Sequence, residues 1–143
     1  MEHTYKYRLR SPMGGLSADL TAECLSDHAS SLYRLQIQRN LWLAPPVDIN
    51  WRDSAWLSFG LSAHADTLNR LHPRELIVIR VTDLSFPLAN FRSEVSALAI
   101  DGWLRTQFQL PDLGLRAEFN PGRHSYDFHW GSISNPFEDS QYL

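Results

Sequence analysis

Apolar and polar positions alternate over "TYKYRLR", Thr4 to Arg10, with Tyr5, Tyr7 and Leu9 on one side and Lys6, Arg8 and Arg10 on the other. A period of two is that of a strand with one wet face. Pro12 and Gly14-Gly15 follow as a turn, because proline presets φ and glycine permits positive φ. In "LSADLTAECL" the period continues through Leu16, Ala18, Leu20, Ala22 and Cys24. Leu16, Leu20 and Glu23 would also suit a helix, but the preceding turn favours a hairpin and hence a strand. "SLYRLQIQRN" sets Tyr33, Leu35 and Ile37 against Arg34, Gln36 and Gln38, a third strand, and the three together predict an antiparallel meander. "LWLAPPVDINW" is expected to be a loop because of Pro45 and Pro46.

The period then changes. "RDSAWLSFGLSAHADTLNRLHP" places Trp56, Phe59, Gly60, Ala63 and Thr67 at helical spacing, beside a stripe of Leu57, Leu61, Leu68 and Leu71. Asp53 or Ser54 is the expected cap and His72-Pro73 the stop. Gly60 inside a helix costs about 1 kcal/mol relative to Ala, which predicts close approach to a neighbouring backbone. "ELIVIRV" interleaves Leu76, Val78 and Val81 with Ile77 and Ile79 and has no polar side until Arg80, the pattern of a central strand. "DLSFPLANF" connects it to a second helix, with Asn90 as a candidate cap. That helix carries two apolar stripes, Phe91, Val95, Leu98, Ala99 and Ala97, Ile100, Leu104, Phe108, leaving Glu94, Asp101 and Arg105 as a narrow wet edge. So wide an apolar arc must meet a sheet and another helix at once. "LRAEFNPGRHSYDFHW" reads as a hairpin around Asn120-Pro121-Gly122.

The fold class expected is therefore α+β: a mainly antiparallel sheet of five or six strands with two helices packed on one face. Residues 1–134 make a single domain and 135–143 a loosely held tail. Hydrophobic content of 43% and charged content of 20% are ordinary globular values. One cysteine, Cys24, permits no internal disulfide; with no secretion signal and no run of about 20 apolar residues, the chain is expected to be cytoplasmic and to have no membrane partner. A formal charge of −3 weighs against nucleic acid and permits a basic protein partner.

Several features resemble the fourth domain of elongation factor G: Gly14-Gly15 between the first strands, Gly60 within "WLSFGLSAHA", Val81-Thr82 closing "LIVIRVT", and Ser93-Glu94 opening the second helix. The resemblance covers roughly Tyr5 to Phe108 and is one of strand and helix order. It implies a translation-associated or RNA-contacting module. The chain has no G-x-x-x-x-G-K-[ST] loop, and "DLSFPLANF" lacks the basic, ribosome-facing pattern, so the factor's activity is not carried over.

Candidate chemistry is sparse. His124 and His129, five apart on a strand, face opposite sides, and no CxxC or HExxH spacing suggests a metal or a cofactor. His64, Asp66 and Cys24 would make a reactive set only if folding brought them together, and Cys24 among apolar neighbours is more simply an inert thiol. Aromatic residues are more informative. Trp42, Trp51 and Trp56 surround the double proline, and Tyr126, Trp130, Phe137 and Tyr142 mingle with Asp127, Glu138 and Asp139 near the C-terminus. Tryptophan and tyrosine dominate binding hot spots, and acidic neighbours steer a basic partner. The duller alternative is that these rings close the core or lie in a frayed tail. The expectation is a non-enzymatic protein-binding module, for example a bacterial immunity-type protein that neutralises a toxin. Its binding residues are Trp42, Trp51, Tyr126, Asp127, Trp130, Glu138 and Asp139, and self-association would follow if an apolar sheet face stayed uncovered.

Overall fold

The computed structural model describes residues 2–27, 33–134, 136 and 137. Alternation in the first 25 residues produces β1 (His3–Leu9) and β2 (Leu16–Leu25), paired antiparallel from His3 opposite Ala22 to Leu9 opposite Leu16. Gly15 closes their turn at φ +99°, where an added Cβ would overlap the Leu9 carbonyl. β2 does not continue into a meander. Its other neighbour is β5 (Ile77–Ser85), antiparallel with a bulge at Thr21/Ala22, and the sheet order is β1-β2-β5-β4-β3.

The run expected to be a loop supplies a strand. Leu41–Ala44 is β4, antiparallel to the short β3 (Leu35–Gln38) and parallel to β5, with Leu41 beside Ile77 and Ala44 beside Arg80. The five-stranded sheet is thus mainly antiparallel, as expected, but mixed: β1–β2, β2–β5 and β3–β4 pair antiparallel and β4–β5 parallel. Pro45 and Pro46 end β4 instead of excluding it, since proline lacks only the N–H a ladder would need. The remaining strands, β6 (Leu115–Asn120) and β7 (Ser125–Trp130), form a separate two-stranded hairpin as its alternation and turn predict.

The first predicted helix divides. α1 (Trp51–Ser62) is capped by Asn50, whose side chain accepts from the Asp53 N–H, and not by Asp53 or Ser54. The rod breaks at Ala63-His64, where the His64 N–H bonds the Leu61 carbonyl, and α2 (Ala65–Leu71) sets off anew. The second predicted helix, α3 (Val95–Phe108), starts four residues later than its apolar stripe suggests. Asn90 is not its cap: the amide donates to the Gly15 carbonyl at 3.1 Å and ties the β5–α3 connection to the first hairpin.

Both long helices lie on one face of the sheet. Leu16, Leu20, Ala22, Leu43, Ile79 and Val81 meet Leu57, Leu61, Leu98, Ile100 and Leu104 in one core. Gly60 allows α1 to approach α3 closely; a Cβ there would stand 2.8 Å from the Ala97 carbonyl oxygen and 2.5 Å from Ile100 Cγ2. The opposite sheet face is wet, with ion pairs Arg8–Asp19 at 2.7 Å and Arg80–Glu23 at 3.3 Å, except where Ala44 and Val78 are buried, Val78 beside its register partners Trp42 and Leu25. No helix among the described residues is long and apolar enough to cross a membrane.

Candidate docking groove

Parallel pairing of β4 and β5 brings their carboxyl ends to the same end of the sheet, the place where such sheets open a crevice between diverging connections. The chain leaves β4 through Pro45-Pro46, turns at Asp48 with φ +66°, and enters α1 at its Asn50 cap. Across from this loop stands the beginning of β3. Between them runs a groove of about 740 Å³, with Leu35, Pro45, Pro46 and Ile49 among its walls and Ser54, Ala55 and Ser58 of α1 along its side. Three large side chains at its margin are mostly in solvent: Val47 is 90% exposed, Trp51 74% and Tyr33 72%. Trp51 occupies the first position of α1, and the Arg52 guanidinium lies 5.3 Å from its ring centre.

A smaller cavity of about 220 Å³ shares the loop Pro46–Ile49 with this groove and reaches the end of β5. Asp48, Asp53 and Asp83 all line it, together with Leu84 and Phe86. Asp53 is only 3% exposed. Its Oδ2 accepts from the Asn50 side-chain amide at 2.9 Å, while Oδ1 has no hydrogen-bond partner.

The tryptophans that surround the double proline in sequence separate in space. Trp42 lies on the outer sheet face, in register with Gln36 and Val78, with the Arg34 guanidinium 5.4 Å from its ring centre. Trp56 turns to the C-terminal hairpin, stacking on Trp130 at 4.9 Å and meeting Phe137 edge-on at 4.8 Å. Only Trp51 stays at the groove. Of the C-terminal set, Trp130 is buried against Trp56 and Phe59, Tyr126 shares a 2.6 Å hydrogen bond with Ser11, and Asp127 pairs with Asn120 and Arg123. Glu138, Asp139 and Tyr142 lie outside the described residues.

The potentially reactive groups are held apart. His64 is fully buried, its Nε2 2.7 Å from Asp101 Oδ1, and its Nδ1 bonds neither Asp66 nor Cys24. Asp101, placed by its sequence on a wet edge, is buried instead and also accepts from Arg105 Nε at 3.2 Å. The set pins the α1–α2 break to α3. Burial, with Glu75 nearby, pushes the Cys24 thiol up, so it is held as the thiol rather than as a nucleophilic thiolate. Among the described residues no three His, Cys, Asp or Glu side chains gather as metal ligands.

Sequence reasoning missed the acidic cavity and the His64–Asp101 pair. Asp101 had one visible signal: Leu98, Ile100, Trp103 and Leu104 surround it on the helix. Compared with family models, with curated proteins and with solved structures, the chain matches none.

Proposed function

We propose that the chain is a small non-enzymatic protein-binding module, and that its partner docks in the groove between β3, the Pro45–Asn50 loop and α1. The observation that carries this reading is the exposure of Tyr33, Val47 and Trp51 around one apolar trough. Isolated exposed apolar residues are ordinary, but a clustered set at a concave surface marks an interaction site. Covering the two rings and the valine would remove roughly 350 Å² of surface from water, a gross gain of about 9 kcal/mol at ~25 cal/mol per Å². Association consumes an estimated ~4–15 kcal/mol of lost freedom, so the trough alone holds a partner weakly. Polar complementarity must supply the rest. The carboxylates Asp48, Asp53 and Asp83 beside it favour a basic protein and repel nucleic-acid phosphates. A bacterial immunity-type protein blocking a toxic enzyme is one concrete form of such a module.

Affinity capture from lysate of the producing cells, with wild type, Trp51→Ala and Val47→Asp as parallel baits, tests the reading. A captured protein must then be purified and its affinity measured by calorimetry. Loss of about 2 kcal/mol or more in both variants, the range of an interface hot spot, is expected. Absence of any partner, equal binding by the variants, or capture of RNA alone would reject it.

A further inference from the structure

Exposed apolar side chains collect at one end of the molecule. Of the seven large ones among the described residues, five stand where β1, β4 and β5 finish and β3 begins: Met13 (50% exposed), Tyr33, Val47, Trp51 and Leu88 (85%). β1 and β5 both pair antiparallel with β2, β5 runs parallel to β4, and β3 starts where β4 stops, which is why these connections share one end. They are also continuous. Met13 lines a small cavity with Ala89 and Phe91, and Phe91 stacks on Phe86 at 3.5 Å. Phe86 in turn shares a cavity with Val47, which borders the groove beside Tyr33 and Trp51. Together the five expose roughly 600 Å², the upper limit of what a monomer leaves in one apolar patch. A stable interface covers about 800 Å² on each partner, a little over half of it apolar. This end is therefore as large as one face of a dimer.

What covers it follows from charge and from the sheet order. Asp48 is the only charged side chain among the described residues that line the groove, so the groove suits an apolar element with a cation beside it. The chain owns such an element in the β1–β2 turn, which carries Met13 and Arg10. Neither Arg10 nor Asp48 has an ion pair with a described residue. In the order β1-β2-β5-β4-β3 the turn is centred one and a half strand spacings from β5 on one side, and the groove, beyond β4 towards β3, one and a half on the other. Three spacings of about 4.8 Å put them about 14 Å apart, too far for the turn to fill the groove of its own chain. A two-fold axis at the end of β5 brings turn and groove of two copies together twice, with Leu88 of each copy close to the axis. Apolar residues then meet apolar residues and each Arg10 faces an Asp48, the self-complementarity that a two-fold interface demands.

We propose that the chain pairs with a second copy of itself through this end, the Met13 turn of each copy entering the groove of the other. The pairing does not depend on the docking of a foreign protein; a second copy and a foreign protein compete for the groove.

Sedimentation equilibrium of the full chain is expected to show a monomer giving way to a dimer as concentration rises. Leu88→Asp and Arg10→Glu, both at exposed positions, should each weaken the dimer by about tenfold or more, because every substitution acts twice across the axis. In dilute solution both should keep the urea midpoint of the wild type. A short bismaleimide then reads the arrangement. Leu88→Cys should join to itself, and Met13→Cys to Val47→Cys in a mixture of the two. Met13→Cys alone, Leu71→Cys on α2, and wild type with its Cys24 should stay single. A monomer at every concentration up to roughly 1 mM, a dimer indifferent to Leu88→Asp, or Met13→Cys joined to itself overturns the pairing. The two readings fail separately. A monomer that still loses a captured protein on Trp51→Ala removes the pairing and leaves the docking reading standing; the expected cross-links without any foreign partner do the reverse.

Discussion

Replacing Gly60 by alanine sets two effects of known size against each other. Alanine is better than glycine inside a helix by about 1 kcal/mol, so on α1 alone Gly60→Ala would stabilise. The added Cβ, however, would stand 2.5 Å from Ile100 Cγ2, 2.8 Å from the Ala97 carbonyl oxygen and 3.0 Å from Ala97 Cα. Carbon atoms in ordinary contact are separated by about 3.5–4.0 Å. Ile100 is fully buried and Ala97 contributes backbone, so neither can swing aside and α1 must move off α3 by nearly 1 Å. Overpacking of this kind costs about 1–3 kcal/mol. Two of the three obstructing atoms are backbone and the third is fully buried, which puts the cost in the upper part of that range, about 2–3 kcal/mol; after the helix gain of about 1 kcal/mol a net loss of about 1–2 kcal/mol is expected, with a larger loss for Gly60→Val. Urea unfolding reads it as a lower midpoint at unchanged slope; the melting temperature should fall by roughly 3–6 °C. Unchanged or increased stability in Gly60→Ala would refute the close seating of α1 on α3, and with it the placement of the α1 N-terminus beside the groove.

Other consequences are equally open to measurement. Asp101→Ala leaves His64 without its partner in the core, and a loss of about 3–5 kcal/mol is expected; additive effects of His64→Ala and Asp101→Ala in a double-mutant cycle would contradict the pairing. Burial, reinforced by Tyr5, holds the Tyr7 phenol up at about 12 against an ordinary 10.0. The folded chain therefore keeps this proton longer than the unfolded chain does: the contribution is intact below about pH 10 and declines between about pH 10 and 12. After allowance for solvent screening the decline is roughly 1–2 kcal/mol, and a Tyr7→Phe variant, lacking it, should diverge from wild type only in that alkaline window; parallel curves would contradict it. Trp51→Ala should change stability by no more than about 0.5 kcal/mol, as for a surface substitution; a larger loss in urea would show that the ring serves the fold rather than a partner.

Local period made much of this architecture legible. β1, β2, β5, the C-terminal hairpin and the wide apolar arc of α3 could be read because each element declares its own periodicity over several residues. Pairing was not legible. Four residues, "LWLA", bordered by two prolines carry no period, and their parallel partner Ile77–Arg80 is more than thirty positions away. Nor does proximity in sequence fix direction: Trp51 and Trp56 share α1 yet serve the groove and the hairpin cluster, while Trp42 belongs to the far side of the sheet. The break in the first predicted helix depends on a bond from His64 to a residue 37 positions later, which no pattern within the helix could show. The acidic cavity was hidden for the same reason. Asp48, Asp53 and Asp83 share a cavity only because β4 and β5 end together.

Site-specific photocrosslinking bears most directly on the docking groove. A benzophenone amino acid is placed in turn at Trp51, at Val47 and, as a control, at Leu71, an exposed apolar side chain of α2 that does not line the groove. Irradiation in the producing cells should join one and the same protein to positions 51 and 47 and leave position 71 free. Equal labelling at Leu71, or no crosslink at either groove position, would contradict the docking role of the groove.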